Sequence, residues 1–151
     1  MLVPGVKFPD FSLPDQDGNT TSLSSLAGAK SVVYFYPKDD TPGCTAEACS
    51  FRDALPTYEN ARVIGVSPDP PKSHKKFATK FDLNFTLLAD VDHSLAEACG
   101  VWVEKSMYGK TYMGVARTTF ILDEHGTILK VFEGVKPQGH ADEVAKALAE
   151  A

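Results

Sequence analysis

The chain has 151 residues, room for one compact domain and little more. Its formal charge of −5 comes with no basic run and no Lys/Arg cluster interleaved with aromatics, which argues against a nucleic-acid partner. No segment approaches the roughly 18 consecutive apolar residues of a membrane span, and Met1–Lys7 lacks the pattern of a secretory leader, so the expectation is a single domain over residues 1–151, cytoplasmic and without membrane contact.

In chain order, Phe11–Leu13 and Thr20–Leu23 flank Asp15-Gln16-Asp17-Gly18-Asn19, a hairpin with its turn. Ser31–Tyr36 is a short β-rich run with little alternation, the pattern of a strand buried on both faces, and Pro37 ends it. Lys38–Gly43 reads as a loop, followed by a helix from about Cys44 toward Leu55 that Pro56 terminates. Arg62–Ser67 is a second buried strand, Asp69–Phe81 a helix opened by prolines with lysines outside, and Phe85–Leu88 a third strand. Ser94–Cys99 is a short helix stopped by Gly100. Thr118–Leu122 and Ile128–Phe132 pair through a turn at Asp123–Gly126, and His140–Ala151 closes the chain as an alanine-rich helix. Alternating strands and helices with a late hairpin predict an α/β fold: a central mixed sheet flanked by helices on both faces.

Three cysteines, Cys44, Cys49 and Cys99, are too few for a disulfide scaffold. Thr41-Pro42-Gly43-Cys44 carries helix-start chemistry, with Thr41 at N-cap, Pro42 at N1 and Cys44 in the first turn. Unpaired backbone amides and the positive end of the helix dipole would there favour a thiolate, the nucleophilic form. Gly43 lets a ligand approach the backbone. The plainer alternative is a capped helix with an inert buried cysteine. Asp39 and Asp40, if turned inward, oppose the thiolate, so the site needs a cation.

Cys49 lies five residues after Cys44. In an intact helix that places the Cα atoms roughly 8–9 Å apart, beyond the roughly 4.4–6.8 Å a disulfide takes. A bond between them would therefore require the first turns to unwind. As a metal site the pair is poor, because a second ligand pair is missing and His74, His93, His125 and His140 show no ligand spacing. The histidines read as surface or turn residues.

Pro37-Lys38-Asp39-Asp40-Thr41-Pro42-Gly43-Cys44 resembles the Pro-x-x-x-Thr-x-x-Cys signature of the peroxiredoxins. Thr41 to Asp53, Met107-Tyr108-Gly109-Lys110-Thr111-Tyr112 and Arg117 to Asp123 are similar to the bacterioferritin-comigratory, or Q-type, subfamily, and the resemblance runs from Phe8 to the last helix. It implies a thioredoxin-like fold and a thiol peroxidase acting on hydrogen peroxide and organic hydroperoxides. It implies further that Cys44 is peroxidatic and Cys49 resolving, with Pro37, Thr41 and Arg117 binding the peroxide and Arg117 supplying the cation. Thioredoxin or a glutaredoxin-type dithiol would be the reductant, the chain would act as a monomer, and no metal, haem or flavin is called for. Glu47 is an auxiliary candidate, either favouring the helix dipole or relaying a proton. Cys99, where the subfamily has an aromatic residue, reads as core packing. Trp102, Met107, Tyr108 and Tyr112 read as loop and core contacts. The rival from another class is a non-catalytic thioredoxin-fold module that binds a partner through the same loop.

Overall fold

The computed structural model describes residues 2–151. Five strands form the central sheet: β3 (Lys30–Phe35), β4 (Ala61–Ser67), β5 (Thr86–Ala89), β8 (Thr118–Leu122) and β9 (Ile128–Phe132), in the order β5-β4-β3-β8-β9. β3, β4 and β5 run parallel, β8 is antiparallel to β3, and β9 antiparallel to β8, so the sheet is mixed as expected. The N-terminal hairpin is β1 (Ser12–Pro14) and β2 (Thr20–Ser22), its turn tied by the Asp15 carboxylate accepting from the amides of Asp17 and Asn19.

Side chains of β3 alternate between two cores because successive residues of a strand point to opposite faces. Val33 and Phe35 join one cluster with Phe8, Leu122, Ile128 and the short helix α3 (Ser94–Ala98). Val32 and Tyr34 join the other, which holds the buried faces of α1 (Pro42–Ala54), α2 (Pro71–Lys80) and α4 (His140–Glu150). On α1 the buried residues are Cys44, Glu47, Ala48 and Phe51, the i, i+3, i+4, i+7 stripe of a helix packed on one side. Burying Phe51 alone is worth about 2 kcal/mol.

The segment between α3 and β8, expected as loop, is a second hairpin: β6 (Trp102–Met107) and β7 (Lys110–Val115) pair antiparallel. Tyr108 and Gly109 turn it with φ of 53° and 76°, the left-handed pair of a type I′ turn. Met107, Tyr108, Tyr112 and Met113 are exposed on it rather than packed in a core. Two histidines also depart from expectation. His74 and His140 are buried, because each finds polar partners inside: His74 meets Asp39 and the Leu88 carbonyl, His140 the Thr119 hydroxyl and Glu143. Cys99 is buried as expected, and burial pushes its thiol up to about 12. Among the described residues no helix is long and apolar enough to cross a membrane.

Candidate active site

α1 starts one residue after Thr41, whose backbone is extended (φ −103°, ψ 156°), with Pro42 in the first turn. The expected register of the helix start is therefore present, but Thr41 does not cap with its side chain: its hydroxyl donates to the Lys38 carbonyl at 3.0 Å. Pro37 follows the end of β3 and opens the loop, half-buried.

Cys44 is 2% exposed and Cys49, one turn and a half further along, is partly exposed; all three cysteines are free thiols in this form. Arg117 sits between β7 and β8. Its Nη2 donates to Cys44 Sγ at 3.4 Å and its Nη1 to Glu47 Oε1 at 2.7 Å. The cation that the cysteine needs is therefore in contact with it, across 73 residues of sequence. Gly43 lies alongside the guanidinium: a Cβ there would sit 3.4 Å from Arg117 Nη2, close to ordinary contact.

Glu47 is in the site by contact rather than by dipole alone. Its side chain is 1% exposed, and burial lifts its carboxyl to about 7 against the opposing pull of Arg117. Desolvation wins because one carboxylate oxygen, Oε1, has the guanidinium while Oε2 has no partner among the described residues. Burial also works against the charge on Arg117, but Glu47 and Cys44 beside it prevail and hold it above its ordinary value. Tyr34 lies under the same group; burial and the negative charges of Glu47 and Cys44 raise its phenol well above 10.0.

The acidic neighbours do not crowd the thiol with bare charge. Asp40 is exposed and pairs with Lys80 at 2.8 Å, while Asp39 turns inward but pairs with His74 at 2.8 Å. The reading of the loop missed His74, which lies 30 residues beyond Cys44 and carries no local signal. It also missed Lys105 on β6, whose stem crosses Gly114 and whose amine is lowered by burial and by Arg117 while Cys44 pulls it the other way. A cysteine, an arginine fork, a buried carboxyl and a helix start together can hold a thiolate and stabilise negative charge developing beside it.

The AhpC/TSA family pattern matches residues 4–131. The chain is 49% identical over 146 residues to a putative peroxiredoxin bcp of Coxiella burnetii, covering 95% of this chain and 97% of that one. It is 48% identical over 144 residues to the peroxiredoxin Bcp of Escherichia coli K12, covering 94% and 92%. Among solved structures it is similar to the Xanthomonas campestris bacterioferritin comigratory protein, studied for alkyl peroxide reduction, with a TM-score of 0.90, 40% identity and coverage of 99% and 96%. A peroxiredoxin Q variant from Xylella fastidiosa superposes with a TM-score of 0.93 at 35% identity, again over 99% and 96% of the two chains.

Proposed function

The chain belongs to the AhpC/TSA family, in the Bcp branch of the peroxiredoxins, and we propose that Cys44 is its peroxidatic and Cys49 its resolving cysteine. It is a thiol peroxidase with a thioredoxin-like fold, reducing hydroperoxides by way of cysteine sulfur. The observation that carries the residue assignment is the Arg117 Nη2 contact with Cys44 Sγ at 3.4 Å.

In this reading the Cys44 thiolate attacks the terminal oxygen of ROOH. The S–O bond forms as O–O breaks, and RO⁻ leaves with the electron pair and takes up a proton, giving sulfenic acid and ROH. Arg117 faces both sulfur and the charge that moves onto oxygen. Thr41, its hydroxyl donating a hydrogen bond to the Lys38 carbonyl, keeps lone pairs to accept the peroxide O–H. Pro37 offers no N–H to water and shields the pocket. Glu47, with a carboxyl near 7, is an auxiliary that orients Arg117 and has a proton to give at neutral pH.

Resolution follows when the first turns of α1 unwind. The Cys49 thiol then displaces water from the sulfenic acid and a disulfide forms. A dithiol of thioredoxin or glutaredoxin type reduces it by exchange, taking up the two-electron oxidation. The need for such a donor supports a reducing compartment, the cytoplasm, and an intramolecular disulfide supports a monomer of one domain over 1–151. A non-catalytic module would have no use for a guanidinium on its thiol.

Peroxide consumption by Cys44→Ser and Cys49→Ser proteins tests the scheme. The first should consume none. The second should form one equivalent of sulfenic acid and fail to turn over with thioredoxin; sustained turnover by either would overturn the assignment.

A further inference from the structure

Asp39, two residues before Thr41, carries an unusual load of bonds for a loop residue. Its carboxylate accepts from the Tyr36 hydroxyl at 2.6 Å, from Ser73 Oγ at 2.8 Å and from His74 Nδ1 at 2.8 Å. Its amide donates to Asp69 Oδ2 at 2.8 Å, and Ser67 Oγ donates to the same oxygen at 2.7 Å. On the far side of the ring His74 Nε2 lies 2.9 Å from the Leu88 carbonyl oxygen. Both ring nitrogens are thus engaged, one at the Asp39 carboxylate and one at the Leu88 carbonyl. Asp39, Asp69 and His74 are metal-ligand types gathered within 4.8 Å, but Asp39 and His74 already bond each other at 2.8 Å and leave no gap for a cation between them.

The partners come from the ends of β3, β4 and β5 and from α2; none belongs to α1. They converge on the one stretch of chain that delivers Thr41 and Cys44. The next residue, Asp40, is held in the left-handed region at φ 56°, with its carboxylate on Lys80 at 2.8 Å. Aspartate is among the residues that tolerate this region, and the Lys80 pairing holds Asp40 in it.

We propose that Asp39 and His74 are positioning residues of the peroxidase: they moor the catalytic loop to α2 so that the first turn of α1 presents Cys44 to Arg117. The mooring stays fastened while α1 unwinds, because no member of the cluster lies on α1, and the helix re-forms each cycle from a fixed stub. This rests on Cys44 and Cys49 having the roles given above.

The test is quenched-flow oxidation of reduced protein, following sulfenic acid and disulfide separately by mass, for His74→Gln, Asp39→Asn and the remote core variant Ile128→Ala, each below its melting point. The two loop variants should form sulfenic acid at least about tenfold more slowly, since small misplacements of reacting groups cost rates of this order, while the disulfide step changes by less than about twofold. Ile128→Ala should leave both steps unchanged despite a lower melting temperature. Wild-type oxidation rates in a His74→Gln protein that merely melts lower would reduce the pair to a structural bond. A slowed disulfide step with normal oxidation would show that the mooring opens during turnover, and would equally refute the proposal. If His74→Gln fails to fold, Ser73→Ala removes one of the three bonds on Asp39 and should slow oxidation about threefold; no change would count against the mooring. Cys44→Ser, run alongside, separates the outcomes: residual peroxidase activity there faults the cysteine assignment and not the loop.

Discussion

Replacing Glu47 by glutamine removes a carboxyl that the fold keeps from water. Burial raises the group from 4.5 to about 7, so its folded-state value lies above its unfolded one. Stability contributed by such a group is fully present below the unfolded value and is lost as pH rises through the folded one, because the unfolded chain gives up the proton first. At about 1.4 kcal/mol per pH unit the whole loss is about 3 kcal/mol, and about 2 kcal/mol of it falls between pH 5.5 and 8.5. The assay is urea unfolding of the reduced protein at those two pH values, wild type against Glu47→Gln. The wild type should lose about 2 kcal/mol more than the variant on going to pH 8.5. His140, which burial holds below 6.5, contributes with the opposite sign, but it is present in both proteins and cancels in the comparison. Equal losses in the two proteins would refute the view that burial outweighs Arg117 at this carboxyl. At pH 8.5 the variant should be the more stable of the two, by less than the full amount because the 2.7 Å bond to Arg117 is weakened.

Other outcomes follow from single contacts. Arg117→Met should lower the rate of Cys44 oxidation by hydrogen peroxide about a hundredfold, the loss typical of removing one donor from developing negative charge, measured in single-turnover stopped flow. Gly65→Ala should destabilise by about 2 kcal/mol in urea unfolding, since the added Cβ would lie 2.9 Å from Leu87 Cδ2 and 3.0 Å from the Tyr34 ring. Tyr58→Phe removes the hydroxyl that donates to the Ala141 carbonyl at 2.6 Å and should cost about 1 kcal/mol by thermal unfolding, with peroxidase activity intact.

Much of the sheet was legible because β3 and β4 bury both faces and so read as unbroken apolar runs, and Thr118–Leu122 and Ile128–Phe132 were bounded by turn residues at both ends. The Thr41–Cys44 register was legible because proline and threonine constrain the backbone locally. The β6–β7 hairpin was not, since its exposed strands mix charged and apolar residues without clean alternation; the Tyr108-Gly109 pair between two β-prone runs was the available signal. The Arg117 contact was reached through resemblance to a family, for no local rule joins a residue to a partner 73 positions away. Burial of His74 and His140 was beyond reach for a related reason: a histidine is buried when distant donors and acceptors meet both its nitrogens, and those partners are set by tertiary structure.

Glu47 rides on the same helix as the two sulfurs, three residues from one and two from the other. An opening of that helix large enough to join them would carry its carboxyl from a dry cleft toward solvent, where a group held near 7 would revert toward 4.5 and shed its hydrogen ion. Arg117 would lose its counterion in the same movement. On the proposed cysteine roles, disulfide closure would thereby release a proton to the medium, and an alkaline milieu would favour the cross-linked state over the thiol one more steeply than sulfur chemistry alone would dictate.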